Sequence, residues 1–153
     1  MDRLALKVPP VAIMGIVAGL MWGVSRALPE MQNLASVGNY LALVCFVLGV
    51  LIPLLGVRAF RQAQTTVNPL APQQARVLVQ TGVYARTRNP MYLGFLLLLM
   101  GWGFLLQSGY ALILCAGFVT YMNRFQIQPE EQTLRQLFPE SYPAYQHKVR
   151  RWC

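Results

Sequence analysis

The sequence is poor in charged residues, and above all in acids. Of its 153 residues 56% are hydrophobic and 12% are charged, with 13 Lys and Arg against 5 Asp and Glu. A soluble domain carries roughly a quarter charged residues. This composition therefore excludes an ordinary soluble protein and indicates an integral membrane protein. The length permits one domain, and we expect a single membrane domain over residues 1–153.

Residues for metal or acid–base chemistry are also scarce, since the chain has 3 cysteines and 1 histidine. Cys45 and Cys115 lie within apolar segments and do not have the spacing of metal ligands, so we expect no metal site. We expect His147 to be a solvated surface residue, because nothing in the sequence provides a partner for it.

Four apolar segments are long enough to form membrane helices. They run from about Pro10 to Ala27, from about Tyr40 to Val57, from Met91 to Leu106 and from about Tyr110 to Met122. The third is about 24 Å long and barely crosses a hydrocarbon core of about 30 Å. The short connection before Tyr110 predicts that the last two segments pack as an antiparallel hairpin, with close approach at Gly101, Gly103 and Gly117. The sequence thus predicts an all-α bundle of about four transmembrane helices.

The basic residues orient this bundle. The N-terminal stretch, the connection from Arg58 to Asn89 and the C-terminal tail together hold 12 of the 13 Lys and Arg. With four crossings these regions share one side of the membrane, and the positive-inside rule makes that side cytoplasmic. We therefore expect a multi-pass protein with both termini in the cytoplasm. The net charge of +8 is attributed to topology and to membrane lipid headgroups, and no nucleic acid partner is expected.

The tail contains acids, whereas the connection from Arg58 to Asn89 contains none. Glu130 and Glu131 begin a segment in which Leu134 and Leu137 follow at helical spacing. This pattern predicts an amphipathic helix from about Glu130 to Phe138 along the membrane surface. Its two carboxylates are expected to face the arginines of the connection.

The connection carries side chains suited to a small zwitterionic ligand. Arg86 or Arg88 can hold a carboxylate or phosphate through a bidentate fork, and Tyr84 and Tyr92 can stack on a base or face a cation. The alternative for the arginines and the tyrosines is anchoring at the membrane interface. Pro90 is first of all a helix start signal.

Two stretches carry a resemblance to a known family. GVYARTRNPMYLG (82–94) and EEQTLRQLFPESYPAYQHKVRRW (130–152) resemble the two-part signature of the isoprenylcysteine carboxyl methyltransferase and phospholipid methyltransferase superfamily. Its pattern is Gly-x-Tyr, then Arg-His/Asn-Pro-x-Tyr-x-Gly at the start of a membrane hairpin, then Glu-Glu-x-x-Leu with Phe, Tyr and Tyr behind it. The resemblance covers roughly residues 66–152 and is specific for the superfamily but much less so for the substrate.

The resemblance implies that S-adenosylmethionine binds on the cytoplasmic side. Residues 1–65 are then an N-terminal helix pair, and residues 66–153 are the cofactor-binding half, with a hairpin at 91–123 and a tail at 124–153. The implied cofactor-binding residues are Tyr84, Arg88, Asn89, Pro90, Tyr92, Gly94, Glu130 and Glu131. Asn89 departs from the His that prenylcysteine enzymes usually have, and Asn keeps a donor and an acceptor but cannot titrate. Pro139 stands where the family commonly has Gly.

The function implied is methyl transfer to a lipophilic acceptor that arrives from the bilayer, a prenylcysteine-type carboxylate or a similar group, by in-line displacement in a dry site. A carboxylate is already a nucleophile at neutral pH, so no catalytic residue is assigned. Two alternatives stay open. One is an NADPH-dependent reductase related to sterol reductases, which share the Arg-x-Pro-x-Tyr element, and the other is a non-catalytic membrane accessory protein.

Overall fold

A computed structural model of the chain describes residues 6–28, 35–63 and 77–153. Within these ranges the protein is all-α, as predicted, and has no β-strand. Arg3 and Arg76, which entered the charge count, and the predicted boundary between residues 65 and 66 lie outside the described residues.

The described residues form six α-helices: α1 (Pro10–Ala27), α2 (Ala35–Gln62), α3 (Pro90–Leu105), α4 (Gly109–Met122), α5 (Gln128–Leu137) and α6 (Ser141–Lys148). All four predicted apolar helices and the predicted tail helix are present. Helix α2 extends beyond the predicted segment at both ends. At its C-terminal end the polar residues after Val57 continue the helix. Helix α6 was not predicted.

Helices α2 and α3 approach each other closely along a row of small residues. A Cβ on Gly94 of α3 would overlap the ring of Pro53 in α2 and would lie 2.8 Å from the Gly49 carbonyl oxygen. Nearer the C-terminal end of α2, a Cβ on Gly56 would lie 3.2 Å from Cγ of Pro90, the first residue of α3. Small residues let helix backbones approach in this way. The N-terminal end of α3 is thereby fixed against the C-terminal half of α2.

The α3–α4 hairpin is confirmed, but two of its three glycines have different roles from those predicted. Ser108 caps α4, since its Oγ accepts a hydrogen bond of 3.2 Å from the Ala111 N–H. Gly103 makes room for Leu112 of α4, as predicted. Gly101 packs instead against α2, and the prediction for Gly117 was wrong, because a Cβ there would meet nothing within 4 Å.

Helix α1 packs against α4 and α3. Its Ile13 and Met21 join Leu99 and Phe118 in the main hydrophobic core. Helices α1 and α2 expose many large hydrophobic side chains, and both pass the length and hydropathy criteria for membrane spans, over Pro10–Ala27 and Val37–Gln62. Exposed apolar faces of this size suit contact with lipid. The protein is an integral membrane helical bundle.

A π-helical turn, Asn123–Ile127, joins α4 directly to α5. Pro129 has no N–H and its ring clashes with the carbonyl four residues earlier, which explains why the α-helical pattern is interrupted here. That carbonyl belongs to Phe125, and it accepts a hydrogen bond of 3.1 Å from the Leu6 N–H. Gln126 Nε2 donates to the Val8 carbonyl at 2.6 Å. The stretch before α1 is therefore held at the same end of the bundle as the tail.

Candidate functional site

The predicted meeting of the connection and the tail centres on Glu131, in the first turn of α5. Its Oε1 lies 3.0 Å from Arg88 Nη2. Arg151, near the end of the chain, donates from Nε to Glu131 Oε1 at 3.0 Å and from Nη2 to Oε2 at 2.7 Å. The Glu131 side chain is only 7% exposed, against 11% for Arg88 and 32% for Arg151. We call these three residues the Glu131 cluster.

The backbone of the tail returns to the connection and holds Arg151 in place. The Arg88 N–H donates to the Arg150 carbonyl at 3.0 Å. The Arg151 carbonyl accepts from Asn89 Nδ2 at 2.9 Å and from Thr87 Oγ1 at 3.3 Å. We call this contact between residues 87–89 and 150–151 the clasp. Because the clasp uses backbone groups of the tail, it sets the position of the Arg151 side chain.

Trp152 extends the clasp toward the π turn. Its indole Nε1 donates to Asn123 Oδ1 at 3.1 Å, and its ring packs against the main core. The C-terminal residues are therefore joined to two parts of the bundle at once, the start of α3 and the junction of α4 with α5.

Glu130 forms a second polar pair beside the cluster. The hydroxyl of Tyr92, in the first turn of α3, donates a hydrogen bond to Glu130 Oε1. Burial raises the pKa of Glu130 to about 8, and the neighbouring Glu131 acts in the same direction, although the Tyr92 hydrogen bond opposes both. At neutral pH this carboxyl is therefore largely protonated, so that the pair adds a polar group without a full charge.

Hydrogen bonds of Arg151 to Glu131 raise the pKa of the guanidinium further. It stays charged at every pH of interest. With Arg88 also cationic, the Glu131 cluster holds two positive charges and one negative charge. Arg88 Nε is buried and has no hydrogen-bond partner among the described residues. The cluster thus has one unmatched positive charge and one free donor.

Tyr84 lies in a short 3-10 turn, Gly82–Ala85, and packs on the end of α2. Its ring meets Phe60 edge to face at a centroid distance of 5.1 Å. Its carbonyl accepts a hydrogen bond of 2.7 Å from the Tyr145 hydroxyl, so α6 also contacts the connection. Burial raises the pKa values of both tyrosines, which remain neutral.

The predicted site residues are therefore positioned in different ways. Arg88, Tyr92, Glu130 and Glu131 come together as two polar pairs. Asn89 holds the clasp, whereas Pro90 and Gly94 lie buried in the contact with α2. Arg86 is exposed.

Arg151 and Thr87 were missed by sequence reasoning. Two arginines and a tryptophan stand together at the end of the tail and could have indicated a site, but the basic residues of the tail were attributed to membrane topology. His147 is exposed, as predicted, and the described residues contain no group of His, Cys, Asp and Glu that could hold a metal ion.

A groove of about 560 Å³ lies at the C-terminal end of α2, lined by Leu54, Val57, Arg58, Arg61 and Gln62. None of these residues belongs to the Glu131 cluster. We assign the candidate site to the cluster, because convergent buried charges mark a functional site more specifically than an open concavity does.

Similarities to known proteins identify the family of this chain. The sequence model of the phospholipid methyltransferase family matches residues 37–141, more than half of the chain. The chain belongs to the phospholipid methyltransferase family. It is also 32% identical over 116 residues to the protein-S-isoprenylcysteine O-methyltransferase of Saccharomyces cerevisiae, over 69% of this chain and 47% of the yeast protein. The chain thus spans about half the length of that curated relative. No solved structure matches it significantly.

These similarities support the methyltransferase class and do not favour the reductase or the accessory protein. The family match contains Arg88, Tyr92, Glu130 and Glu131 but ends at residue 141, before the tail residues of the clasp, Arg150 and Arg151. It therefore covers the predicted site residues and leaves Arg151 to be interpreted from the structure alone.

Proposed function

We propose that this protein is an S-adenosylmethionine-dependent methyltransferase that modifies a lipophilic acceptor at the membrane surface. The observation that carries the proposal is the buried Glu131 cluster, which stands beside the Tyr92–Glu130 pair where the membrane hairpin begins. Family membership supports the same reaction class.

The residues present fit the cofactor. S-adenosylmethionine has a carboxylate, an ammonium group, a sulfonium and two ribose hydroxyls. The free Nε–H of Arg88 and the unmatched charge of the cluster suit the carboxylate. Glu130 suits a ribose hydroxyl, because its carboxyl accepts a hydrogen bond from Tyr92 and keeps a second oxygen. When bound, S-adenosylmethionine supplies an electrophilic methyl group on a positively charged sulfur.

The contribution of this chain is placement rather than proton transfer. Asn89 cannot titrate, and its amide already donates to the Arg151 carbonyl, so it is not a base. His147 is exposed. A carboxylate acceptor needs no base, because it is a nucleophile at neutral pH. The protein then has to hold the reacting atoms in line and exclude water, which buried side chains at the end of a membrane hairpin can do.

The acceptor we propose is a prenylcysteine-type carboxylate or a similar lipophilic acid. The similarity to a protein-S-isoprenylcysteine O-methyltransferase supports this choice. The acceptor enters from the bilayer. The contacts described above hold the N-terminal stretch, the connection and the tail at one end of the bundle, and we propose that a four-crossing topology makes this end cytoplasmic.

Methyl transfer itself tests the proposal. Purified protein in detergent would be incubated with methyl-labelled S-adenosylmethionine and a farnesylated cysteine acid, and the labelled ester would be extracted and counted. We expect ester formation by the wild type and a loss of at least about tenfold in Arg88→Ala, the size of one lost charge-assisted contact. Label transfer to a phospholipid amine instead would correct the acceptor, and transfer to neither compound would contradict the proposal.

A further inference from the structure

The carboxyl-terminal clasp places a second arginine on a glutamate that already has one. A lone Arg88–Glu131 pair would be neutral, and an anion approaching it would gain little. In the observed arrangement Arg151 binds both oxygens of Glu131, whereas Arg88 contacts only one of them through Nη2. The bidentate pair of Arg151 with Glu131 is therefore the stronger of the two interactions.

The charges around the cluster leave one of its two arginines without a negative partner. Glu130 is the acid adjacent to Glu131 in the chain, and burial raises its pKa to about 8, so that it is largely neutral at physiological pH. Tyr142 packs beside the cluster, and burial raises its pKa, which keeps it neutral. Among the described residues one positive charge therefore remains, and Arg88, the more buried of the two arginines, has an Nε–H without a partner there.

We propose that Arg151 is a positioning residue that neutralises Glu131 and so leaves Arg88 free to bind a carboxylate of the ligand. The carboxylate belongs either to the methyl donor or to the acceptor, and for this identity the inference rests on the proposed function. Arg151 is suited to the task because Asn89, Thr87 and the Arg88 backbone hold its main chain, so that its guanidinium is directed at Glu131.

The test compares two adenosine thioethers on the full-length protein in detergent. S-adenosylhomocysteine has the amino-acid carboxylate, and 5′-methylthioadenosine lacks it. Calorimetric titration of Arg151→Gln should show about a tenfold loss of affinity for S-adenosylhomocysteine, as for one charge-assisted contact, but little change for 5′-methylthioadenosine. Arg150→Gln is the matched control, because Arg150 is exposed and the clasp uses only its backbone.

Arg151→Lys separates charge from fold. Lysine keeps the charge but cannot form the fork, so this variant should retain more affinity for S-adenosylhomocysteine than Arg151→Gln does. Equal losses in the two variants, or equal losses for both ligands, would indicate a merely structural role and overturn the inference. Wild-type affinity for S-adenosylhomocysteine in Arg151→Gln would also overturn it, provided that the wild type discriminates between the two ligands.

A second pair of compounds covers the acceptor. If the wild type binds both adenosine thioethers equally, the carboxylate is the acceptor's, and Arg151→Gln should then weaken binding of a farnesylated cysteine acid but not of its methyl ester. Equal binding of the acid by wild type and variant would overturn the inference. Wild-type protein that binds neither adenosine compound would count against the proposed function, and the acid and ester still test Arg151 by themselves.

Discussion

Two regions of the molecule are held together by different kinds of interaction. One is the contact between α2 and α3, and the other is the clasp with the Glu131 cluster beside it. The first is apolar and steric, with Gly94 lying against Pro53 and Gly49. The second consists of charges and backbone hydrogen bonds around Glu131 and Arg151. A contact that depends on shape has no tolerance for added atoms, whereas charges that converge in a buried cluster mark a binding site. Changes in the first should therefore impair folding, and changes in the second should impair ligand binding.

The largest effect is expected at Gly94. Gly94→Ala would force a methyl group into Pro53 and close to the Gly49 carbonyl, so the helices would have to separate. We expect a loss of about 3 kcal/mol in the free energy of unfolding, at the upper end for overpacking. The matched control is Gly117→Ala, where the added methyl meets nothing within 4 Å, and thermal melting in detergent measures both. Equal melting temperatures would contradict the steric account.

In the Glu131 cluster, Glu131→Gln and Arg88→Ala should each weaken S-adenosylhomocysteine binding by at least about tenfold. Arg88→Ala removes the guanidinium that binds the ligand. Glu131→Gln removes the carboxylate that holds the guanidinium groups of Arg88 and Arg151 in place, and we expect this loss to outweigh the gain in net positive charge. The protein should stay folded, since its main core lies between α1, α3 and α4, but its melting temperature should fall because one partner of a buried ion pair is lost. Titration calorimetry with a melting curve for each variant separates the two effects. Arg86→Ala, an exposed arginine of the same loop, is the control. Unchanged affinity in both test variants would refute the site assignment.

Glu130 predicts a pH dependence of stability. Its native pKa of about 8 lies above the usual 4.5, so between these values the native state binds more protons than the unfolded state. Its contribution to stability therefore falls as the pH rises from about 5 to 8. Glu130→Gln removes this contribution and keeps an acceptor for Tyr92, so its melting temperature should fall less over the same range. Parallel curves for wild type and variant would show that Glu130 does not titrate there.

The smallest effect is expected at Asn89. Histidine can donate to the Arg151 carbonyl as the amide does, so Asn89→His should change S-adenosylhomocysteine affinity by less than about threefold, below the size of one lost hydrogen bond. A loss as large as that of Arg88→Ala would show that the amide has a role that a ring nitrogen cannot fill.

The sequence predicted the features that depend on local pattern. The bounds of α1 match the predicted apolar run, and those of α3 differ from the predicted run by one residue at each end. The charge asymmetry predicted that the two tail carboxylates would face the arginines of the connection, as Glu131 faces Arg88. The pairing partner Arg151 could not be found in this way. It reaches Glu131 only because the chain reverses through α6 and returns to the start of α3, and such a return depends on tertiary contacts.

Helix packing was predicted less well than helix position. Gly101 and Gly117 are both small residues in apolar helices, and nothing in their spacing shows which of them meets a neighbouring helix. The π turn also depends on a tertiary hydrogen bond. Pro129 marks a break, but the backbone can remain helical there because Leu6 supplies a partner for the Phe125 carbonyl.

The most direct test of the central claim is calorimetric titration of the purified protein in detergent, with wild type and Glu131→Gln measured side by side. The ligands are S-adenosylhomocysteine and NADPH. We predict that the wild type binds only the first and that the variant binds it at least about tenfold more weakly. Binding of the nicotinamide compound alone, or equal binding of S-adenosylhomocysteine by wild type and variant, would contradict a methyl-donor site at Glu131.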